Sequence, residues 1–153
     1  MKRILLLLLF SFLSLNAEYT IEKNRNLFLV KISDSSFEKD LVYLKDELTF
    51  RGFKIVYELD MAKGNKEIAK LLNKVPTLEK GINLGVCKSS FTFQMQEENY
   101  HNINYCPLSI SVYSPDNINT YISYKYYKNF KFGDKIADKI NDTLKDIILE
   151  SLD

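Results

Sequence analysis

The chain is short of the residues from which enzyme active sites are usually assembled. Its 153 residues include one histidine, His101, and two cysteines, Cys87 and Cys106. A single histidine leaves one candidate base for a nucleophile triad, and no Gly-x-Ser-x-Gly turn accompanies it. The sequence also has no glycine-rich phosphate loop and no Cys-x-x-Cys motif. We therefore predict no catalytic residues, and the sequence favours a non-catalytic protein.

The chain also has no excess of charge of either sign. Its 21 lysines and arginines oppose 20 acidic residues, which gives a net charge of +1. Because nucleic-acid binding requires a basic surface that neutralises phosphates, we expect no nucleic-acid partner. The sequence contains no repeat, no low-complexity tract and no linker long enough to divide it, so we expect one folded domain.

Residues 1–17 have the three parts of a signal peptide. Lys2 and Arg3 form the positive start, residues 4–13 form an apolar stretch, and Ala17 completes a small-residue cleavage site. The apolar stretch is shorter than the roughly 20 residues that a helix needs to cross a bilayer. We therefore expect export to the periplasm of a Gram-negative bacterium, with no stable membrane anchor after the signal is cleaved.

Hydrophobic periodicity predicts a single α+β domain over residues 18–153. Apolar runs and alternations are typical of strands, and apolar residues at intervals of three and four are typical of helices. The predicted strands are 27–32, 53–60, 82–86, 108–113 and 118–126, and the predicted helices are 37–51, 65–73, 89–98 and 133–151. The order β-α-β-(α)-β-α-β-β-α indicates a two-layer sandwich in which a mixed or antiparallel sheet packs against amphipathic helices.

The first long helix and the strand after it carry clear local signals. Ser35 and Glu38 have the spacing of a capping box, and Gly52 stands where a left-handed C-cap is expected. In the following strand, apolar residues alternate from 53 to 59 and predict one buried face.

Two further segments carry weaker signals. The helix at 65–73 is predicted to turn Ile68, Leu71 and Leu72 toward the core. Residues 99–105 are predicted to form a loop.

Three groups of residues resemble, in their order and spacing, the family catalogued as domain of unknown function 302. They are Ser36-Phe37-Glu38 through Gly52-Phe53 and Glu58-Leu59-Asp60, then Leu84-Gly85-Val86-Cys87, then Tyr105-Cys106-Pro107 and a strand that ends in Val112-Tyr113. The family pattern resembles Leu-Gly-Ala-Cys-Asn-Pro followed later by Leu-Pro-Cys. Here Lys88-Ser89 follows the first cysteine, and proline follows the second one instead of preceding it. The likeness covers about residues 27–126 and implies a small α+β domain with no settled biochemical role.

The two cysteines allow three interpretations. An even number of cysteines in an exported chain permits a disulfide between Cys87 and Cys106, whose loop of about 20 residues would stabilise the fold by about 3 kcal/mol. If the two strands were parallel, their crossover would place the cysteines at opposite ends of the sheet, too far apart to bond. Two buried thiols or a redox-active pair are the other interpretations.

A soft-metal site is a further hypothesis for the same segment. Cys87, His101 and Cys106, with Met95 as an optional fourth ligand, would suit Cu(I) or Zn(II). Their spacing matches no common zinc-binding motif. We predict no other cofactor.

The segment 121–130 has the most unusual composition because it is rich in tyrosine and lysine. On a strand, Tyr121, Lys125 and Tyr127 share one face, and Tyr124 lies on the other. One interpretation is a sheet strand that packs one face on the core while its lysines protect an edge. The other is a ligand or partner surface formed by these four residues, since tyrosine recurs at binding surfaces.

These observations predict an exported globular domain that acts as a binding or accessory module for a small ligand or an envelope protein. The alternative is a thiol-redox or soft-metal-binding protein that acts through Cys87 and Cys106.

Overall fold

A six-stranded sheet forms the fold, and three of the helices pack on one of its faces. The computed structural model describes residues 18–128 and 135–152. Its elements are β1 Tyr19–Glu22, β2 Leu27–Ile32, α1 Phe37–Phe50, β3 Lys54–Asp60, α2 Met61–Leu71, β4 Lys80–Cys87, α3 Ser89–Glu98, a 3₁₀ helix Tyr100–Tyr105, β5 Leu108–Ser114, β6 Thr120–Lys125 and α4 Lys135–Glu150. The signal peptide and the start of the last helix at Gly133, both predicted from sequence, lie outside the described residues.

The strands lie in the order β1-β2-β6-β5-β4-β3, and every neighbouring pair is antiparallel. The predicted α+β class is confirmed, and so is the predicted order of strands and helices from β2 onward; the edge strand β1 was not predicted. β6 lies inside the sheet between β2 and β5. The interpretation of this segment as a strand with one face on the core is confirmed by the burial of Ile122 and Tyr124. The part that has its lysines protect a sheet edge is wrong, because β6 has a neighbouring strand on each side.

One face of the sheet carries the core. Alternate residues of the central strands meet the apolar stripes of α1, α3 and α4 there, as period-two and period-3.6 patterns require. The fully buried members include Val30, Ile32, Leu44, Leu48, Leu84, Ile110, Val112, Ile122, Ile140, Leu144 and Ile147. The other face of the sheet, which we call the open face, carries the remaining half of the strand side chains.

Capping residues determine where α1 begins and ends. Ser36 is the N-cap and accepts a hydrogen bond from the Lys39 backbone N–H at 3.5 Å, whereas Ser35 donates to the Ile32 carbonyl. The cap thus lies one residue later than predicted. Gly52 has φ +78°, so the predicted left-handed position is confirmed.

A β-bulge divides β3 into two parts that face opposite sides of the sheet. The pairing with β4 shifts between Ile55 and Tyr57, which leaves one extra residue in β3. As a result Phe53 and Ile55 pack on the core, whereas Tyr57 and Leu59 emerge on the open face. The prediction of a single buried face from 53 to 59 is therefore wrong, because strict alternation does not survive a bulge.

Helix α2 packs through small residues. Ala62 and Ala69 are buried, while Ile68, Leu71 and Leu72 are 56%, 77% and 59% exposed. The predicted inward orientation of these three residues is wrong, since the apolar stripe of this short helix does not determine which side meets β4. No helix within residues 18–128 and 135–152 is long and apolar enough to cross a membrane.

We expect Gly85→Ala to destabilise the sheet. Gly85 of β4 lies under the Tyr57 ring, and an added Cβ would come within 2.2 Å of a ring carbon. The ring would have to move, which breaks the hydrogen bond from the Tyr57 hydroxyl to Asn83 Oδ1. Overpacking of this kind costs about 1–3 kcal/mol, and urea denaturation would measure it as a fall in the free energy of unfolding.

A double-mutant cycle provides the control for this prediction. In a Tyr57→Ala background the added methyl group meets no ring, so Gly85→Ala should then cost far less than in the wild type. Gly64→Ala is the matched glycine control, because Gly64 lies in α2 with open space around it, and the substitution should be neutral or stabilising. Equal costs of Gly85→Ala in both backgrounds would show that the ring is not the obstacle.

Candidate functional site

The open face contains a trough whose floor is made of small polar side chains. Asn83 of β4 lies opposite Ser111 of β5, and Ser111 lies opposite Ser123 of β6. Ser109 and Gly85 form the next cross-strand pair along the sheet. Because paired residues project from the same face, these small side chains form one continuous depression across three strands, which we call the trough.

Tyrosine rings form the two walls of the trough. On one side Tyr113 and Tyr121, which are cross-strand neighbours, stack with ring centroids 5.3 Å apart and planes 10° from parallel. On the other side lie Tyr105, from the end of the 3₁₀ helix, and Tyr126 and Tyr127, which follow β6. The walls rise above the serines because a tyrosine side chain is several ångströms longer than a serine side chain.

The trough holds two adjoining cavities. Their volumes are about 510 Å³ and about 300 Å³, and both are bordered by Ser111 and Ser123. The larger one is lined by Leu27, Asn83, Tyr105, Ser109, Ser111, Ser123, Tyr124, Lys125, Tyr126, Tyr127 and Lys128. This volume lies in the range of small-molecule sites.

Hydrogen bonds fix the floor of the trough. The Asn83 side-chain amide donates to Ser109 Oγ at 2.8 Å and to Ser111 Oγ at 2.9 Å. Its oxygen accepts a hydrogen bond from the Tyr57 hydroxyl at 3.2 Å. Each of the two serine hydroxyls accepts from Asn83 and so retains its own hydrogen for donation into the trough. The floor is thus ordered and still able to donate.

Asn141 of α4 holds the Tyr127 wall from the helix layer. Its side-chain oxygen accepts from the Tyr127 backbone N–H at 3.0 Å, and its side-chain nitrogen donates to the Tyr127 carbonyl at 2.7 Å. The Tyr124 hydroxyl donates to the Asn141 carbonyl at 2.8 Å. The Asn141 side chain therefore satisfies both backbone groups of Tyr127, as a neighbouring strand would do.

The Tyr127 side chain completes the sheet at the point where two strands separate. Pairing of β5 with β6 extends from Ser111 to Tyr113, and beyond it the Ser109 backbone N–H donates to the Tyr127 hydroxyl at 2.9 Å. Burial raises the pKa of Tyr127 to about 12, although the hydrogen bond from Ser109 acts in the opposite direction. The hydroxyl consequently stays protonated and neutral at physiological pH.

Positive charge lies at this end of the trough. Lys125 and Lys128 both line the larger cavity, and no carboxylate does so within residues 18–128 and 135–152. The Lys128 amine lies 4.8 Å from the centroid of the Tyr126 ring and donates to the Arg25 carbonyl. This end of the trough therefore combines aromatic faces with two cations.

The structure brings the four residues predicted as a ligand or partner surface to the trough in different ways. Tyr124, Lys125 and Tyr127 line the larger cavity, although Tyr124 is only 2% exposed and packs mostly in the core. Tyr121 stacks on Tyr113, which lines the smaller cavity. Burial, which is the largest contribution, raises the pKa of Tyr124.

Sequence reasoning did not identify the floor of the trough. Residues 108–114 read Leu-Ser-Ile-Ser-Val-Tyr-Ser, and the serines at alternate positions opposite a buried apolar face were the available signal. Asn83 had no such signal, because a single polar residue on a strand is common.

The two cysteines lie side by side at one end of the sheet. β4 and β5 are antiparallel, and Val86 pairs with Leu108, so Cys87 and Cys106 lie at the same end of the sheet. A crossover between parallel strands would have placed the two cysteines at opposite ends, and that arrangement does not occur here. Both are free thiols in this structure. Burial, and then the hydrogen bond and charge of the adjacent Cys106, raise the pKa of Cys87 to about 12. Cys106 Sγ also lies 3.5 Å from Thr92 Oγ1 of α3.

His101 does not join the cysteines in a metal-binding cluster. It lies in the 3₁₀ helix, exposed to solvent, with its ring 4.1 Å from that of Tyr100. Among the described residues there is no group of three or more histidine, cysteine, aspartate or glutamate side chains that could hold a metal ion. Met95, the optional fourth ligand, is buried in the core at 1% exposure.

We expect Asn141→Ala to destabilise the protein and loosen the trough wall. The substitution leaves the Tyr127 backbone N–H and carbonyl without their partners, which costs about 1–3 kcal/mol. Thermal unfolding should show a lower Tm, and hydrogen exchange should show faster exchange at Tyr127.

Asn104→Ala is the matched control, because the Asn104 side chain makes an exposed hydrogen bond within its own turn. It should change the stability by less than about 0.5 kcal/mol. Faster exchange throughout the sheet, with no excess at Tyr127, would contradict the local role assigned to Asn141.

Comparison with known proteins places the fold in a family. A crystal structure described as that of the uncharacterized conserved protein DUF302 from Bacillus stearothermophilus superposes with a TM-score of 0.57, covering 84% of this chain and 94% of that one. The sequence identity is 16%, so this likeness shows the fold alone. No curated protein matches the chain. The family model for the domain of unknown function DUF302 matches residues 29–151, and the chain therefore belongs to the DUF302 family, as the sequence resemblance predicted.

Proposed function

We propose that the chain is an exported, non-catalytic binding module that holds its ligand in the trough on the open face of the sheet. The observation that carries this proposal is the cavity of about 510 Å³ at the larger end of the trough. Its lining is mainly tyrosine and serine with one asparagine. Tyrosine, serine, glycine and asparagine also dominate antibody binding loops, where tyrosine supplies rigid contact area and the small polar residues supply hydrogen bonds.

The charges of the trough favour an anionic ligand with a flat body. Lys125 and Lys128 would face the anionic group, since no carboxylate among the described residues lines that cavity. The serine hydroxyls would donate to its oxygens, and the tyrosine walls would contact its faces. A carboxylate-bearing aromatic compound has this chemistry. Glu22 lies near Tyr113, where its charge contributes to the raised pKa of that residue after burial, so the anionic group belongs at the lysine end.

Export is part of the same proposal, supported by the signal-peptide pattern of residues 1–17. The mature module would then act in the periplasm of a Gram-negative bacterium, on a small ligand or on an envelope protein that presents such a group. Cell fractionation with N-terminal sequencing tests this part, and a chain that stays in the cytoplasm with Met1 retained would contradict it.

The binding test uses 2-naphthoate as the probe and 2-naphthylmethylammonium as its matched cation. At about −0.3 kcal/mol for each of its roughly 13 non-hydrogen atoms, naphthoate should bind with a Kd of about 1 mM. We expect saturable NMR shifts at the amides of Ser109, Ser111, Ser123 and Lys125, and much weaker shifts with the cation. Shifts of equal size with both probes, or no saturable shifts with naphthoate, would contradict an anion-selective trough.

Three variants locate the binding. Ser111→Phe fills the border between the two cavities and should abolish the shifts, provided that thermal unfolding shows a folded protein. Lys125→Gln should weaken binding about fivefold, because one exposed charge pair contributes up to about 1 kcal/mol. Lys145→Gln is the charge-matched control on the solvent side of α4 and should leave binding unchanged. Unchanged affinity in Ser111→Phe and Lys125→Gln would place the probe elsewhere.

A second candidate function is favoured by the contact between Cys87 and Cys106. A pair of adjacent thiols is able to cycle with a disulfide or to bind a soft ion such as Cu(I) or Zn(II). The raised pKa of Cys87 counts against a nucleophilic thiolate, since the thiolate is the attacking form. A Cys87→Ser/Cys106→Ser variant separates the two functions, because it should retain naphthoate binding and lose any thiol or metal chemistry.

A further inference from the structure

The segment between the two cysteines is anchored in the core by α3, whose Phe91 and Met95 are buried, whereas its 3₁₀ helix buries only Asn102. It contains α3 and the 3₁₀ helix, which pack on one another, and it returns the chain from the end of β4 to the start of β5. Its outer residues Phe93, Tyr100 and Ile103 are 63%, 72% and 56% exposed. Its last residue, Tyr105, is part of the trough wall. The position of this wall therefore depends on how firmly the segment is fixed where it enters β5.

The geometry at the ends of β4 and β5 suits a covalent link. A disulfide needs Cα atoms about 4.4–6.8 Å apart, a range that overlaps the spacing of neighbouring antiparallel strands. Continued past the Val86–Leu108 pair, the register places Cys87 opposite Pro107, so Cys106 is the next residue along the facing chain. The two thiols are near neighbours, close enough for Cys106 to contribute to the raised pKa of Cys87.

We propose that Cys87 and Cys106 form an intramolecular disulfide that closes the α3–3₁₀ segment and fixes the Tyr105 wall of the trough. The proposal shares with the proposed function only the expectation of export, since disulfides persist in oxidising compartments. It does not depend on what the trough binds.

The reaction is a two-electron oxidation of the pair by a disulfide-bearing oxidant, such as oxidised glutathione or a periplasmic dithiol oxidoreductase. One thiolate attacks the oxidant and releases one of its sulfurs as a thiol, which leaves a mixed disulfide. The second cysteine, as its thiolate, displaces the remaining oxidant sulfur. Two S–H bonds are lost, one Sγ–Sγ bond forms, and the oxidant leaves as two thiols that carry the two electrons and the two protons.

The proposal is tested by intact-mass spectrometry. The mature protein is purified from the periplasm and its free thiols are alkylated with N-ethylmaleimide. We expect no adduct before reduction and two adducts after reduction. The reduced protein should close again when it is incubated with oxidised glutathione. Two adducts before reduction, combined with failure to close in oxidised glutathione, would overturn the proposal. If the protein purified from cells has free thiols but forms the disulfide in oxidised glutathione, only the shared expectation of an oxidising compartment would be overturned.

The effect on the segment is measured on the wild-type protein with and without reductant, so it does not depend on a variant that folds. The oxidised form should have a higher Tm and slower amide exchange over residues 88–105 than the reduced form. The Cys87→Ser/Cys106→Ser variant should show neither difference when the same reductant is added. Equal exchange in the oxidised and reduced wild type would refute the fixing role, even with the disulfide present.

Discussion

The antiparallel pairing of β4 with β5 is the constraint on which the rest of the structure depends. Its register, with Asn83 opposite Ser111 and Val86 opposite Leu108, assigns each side chain to one face of the sheet. A slip of one residue would send the serines of β5 into the core and its isoleucine and valine into solvent. The apolar burial beneath the sheet therefore also specifies the polar trough above it.

Contacts between the sheet and the helix layer also fix the position of residues that lie beyond the ends of the strands. The β5–β6 ladder ends early, and the chain after β6 is held by Asn141 of α4 through two backbone hydrogen bonds at Tyr127. Tyr127 in turn satisfies the Ser109 N–H that β6 leaves unpaired. A buried backbone donor without a partner costs about 1–3 kcal/mol, so this chain of contacts has a stabilising role before it has any role in binding.

The sequence was sufficient for the features that depend on local chemistry. The helix at Phe37–Phe50 and the left-handed Gly52 follow from periodicity and capping, which act within a few residues. The sequence was insufficient for features that depend on a contact with a residue far away in the chain. The bulge after Ile55 brings Tyr57 over Gly85 of the neighbouring strand, and α2 buries its alanines instead of its larger apolar residues. Neither feature can be read from the segment itself.

The candidate site was likewise predictable only where its residues carry a local signal in the sequence. The tyrosine-rich segment, whose composition is unusual in itself, identified Tyr121, Tyr124, Lys125 and Tyr127, and three of these line the larger cavity. The serines of β5 gain significance only when the register places them beside Asn83. The cysteines show the dependence most clearly, because their separation turns entirely on whether the two strands are parallel or antiparallel.

The protonation chemistry of the trough bears on the binding role that we propose for it. A general acid or base works best when its pKa lies near the ambient pH. In the described part of the chain, the larger cavity is lined by no histidine, aspartate or glutamate, and burial moves the pKa of Tyr127 up to about 12, away from neutrality. The hydroxyls of Ser109 and Ser111 accept hydrogen bonds from the side-chain amide of Asn83. The groups that line this cavity donate hydrogen bonds, offer aromatic faces and carry positive charge, which are the components of the anion-binding trough that we propose.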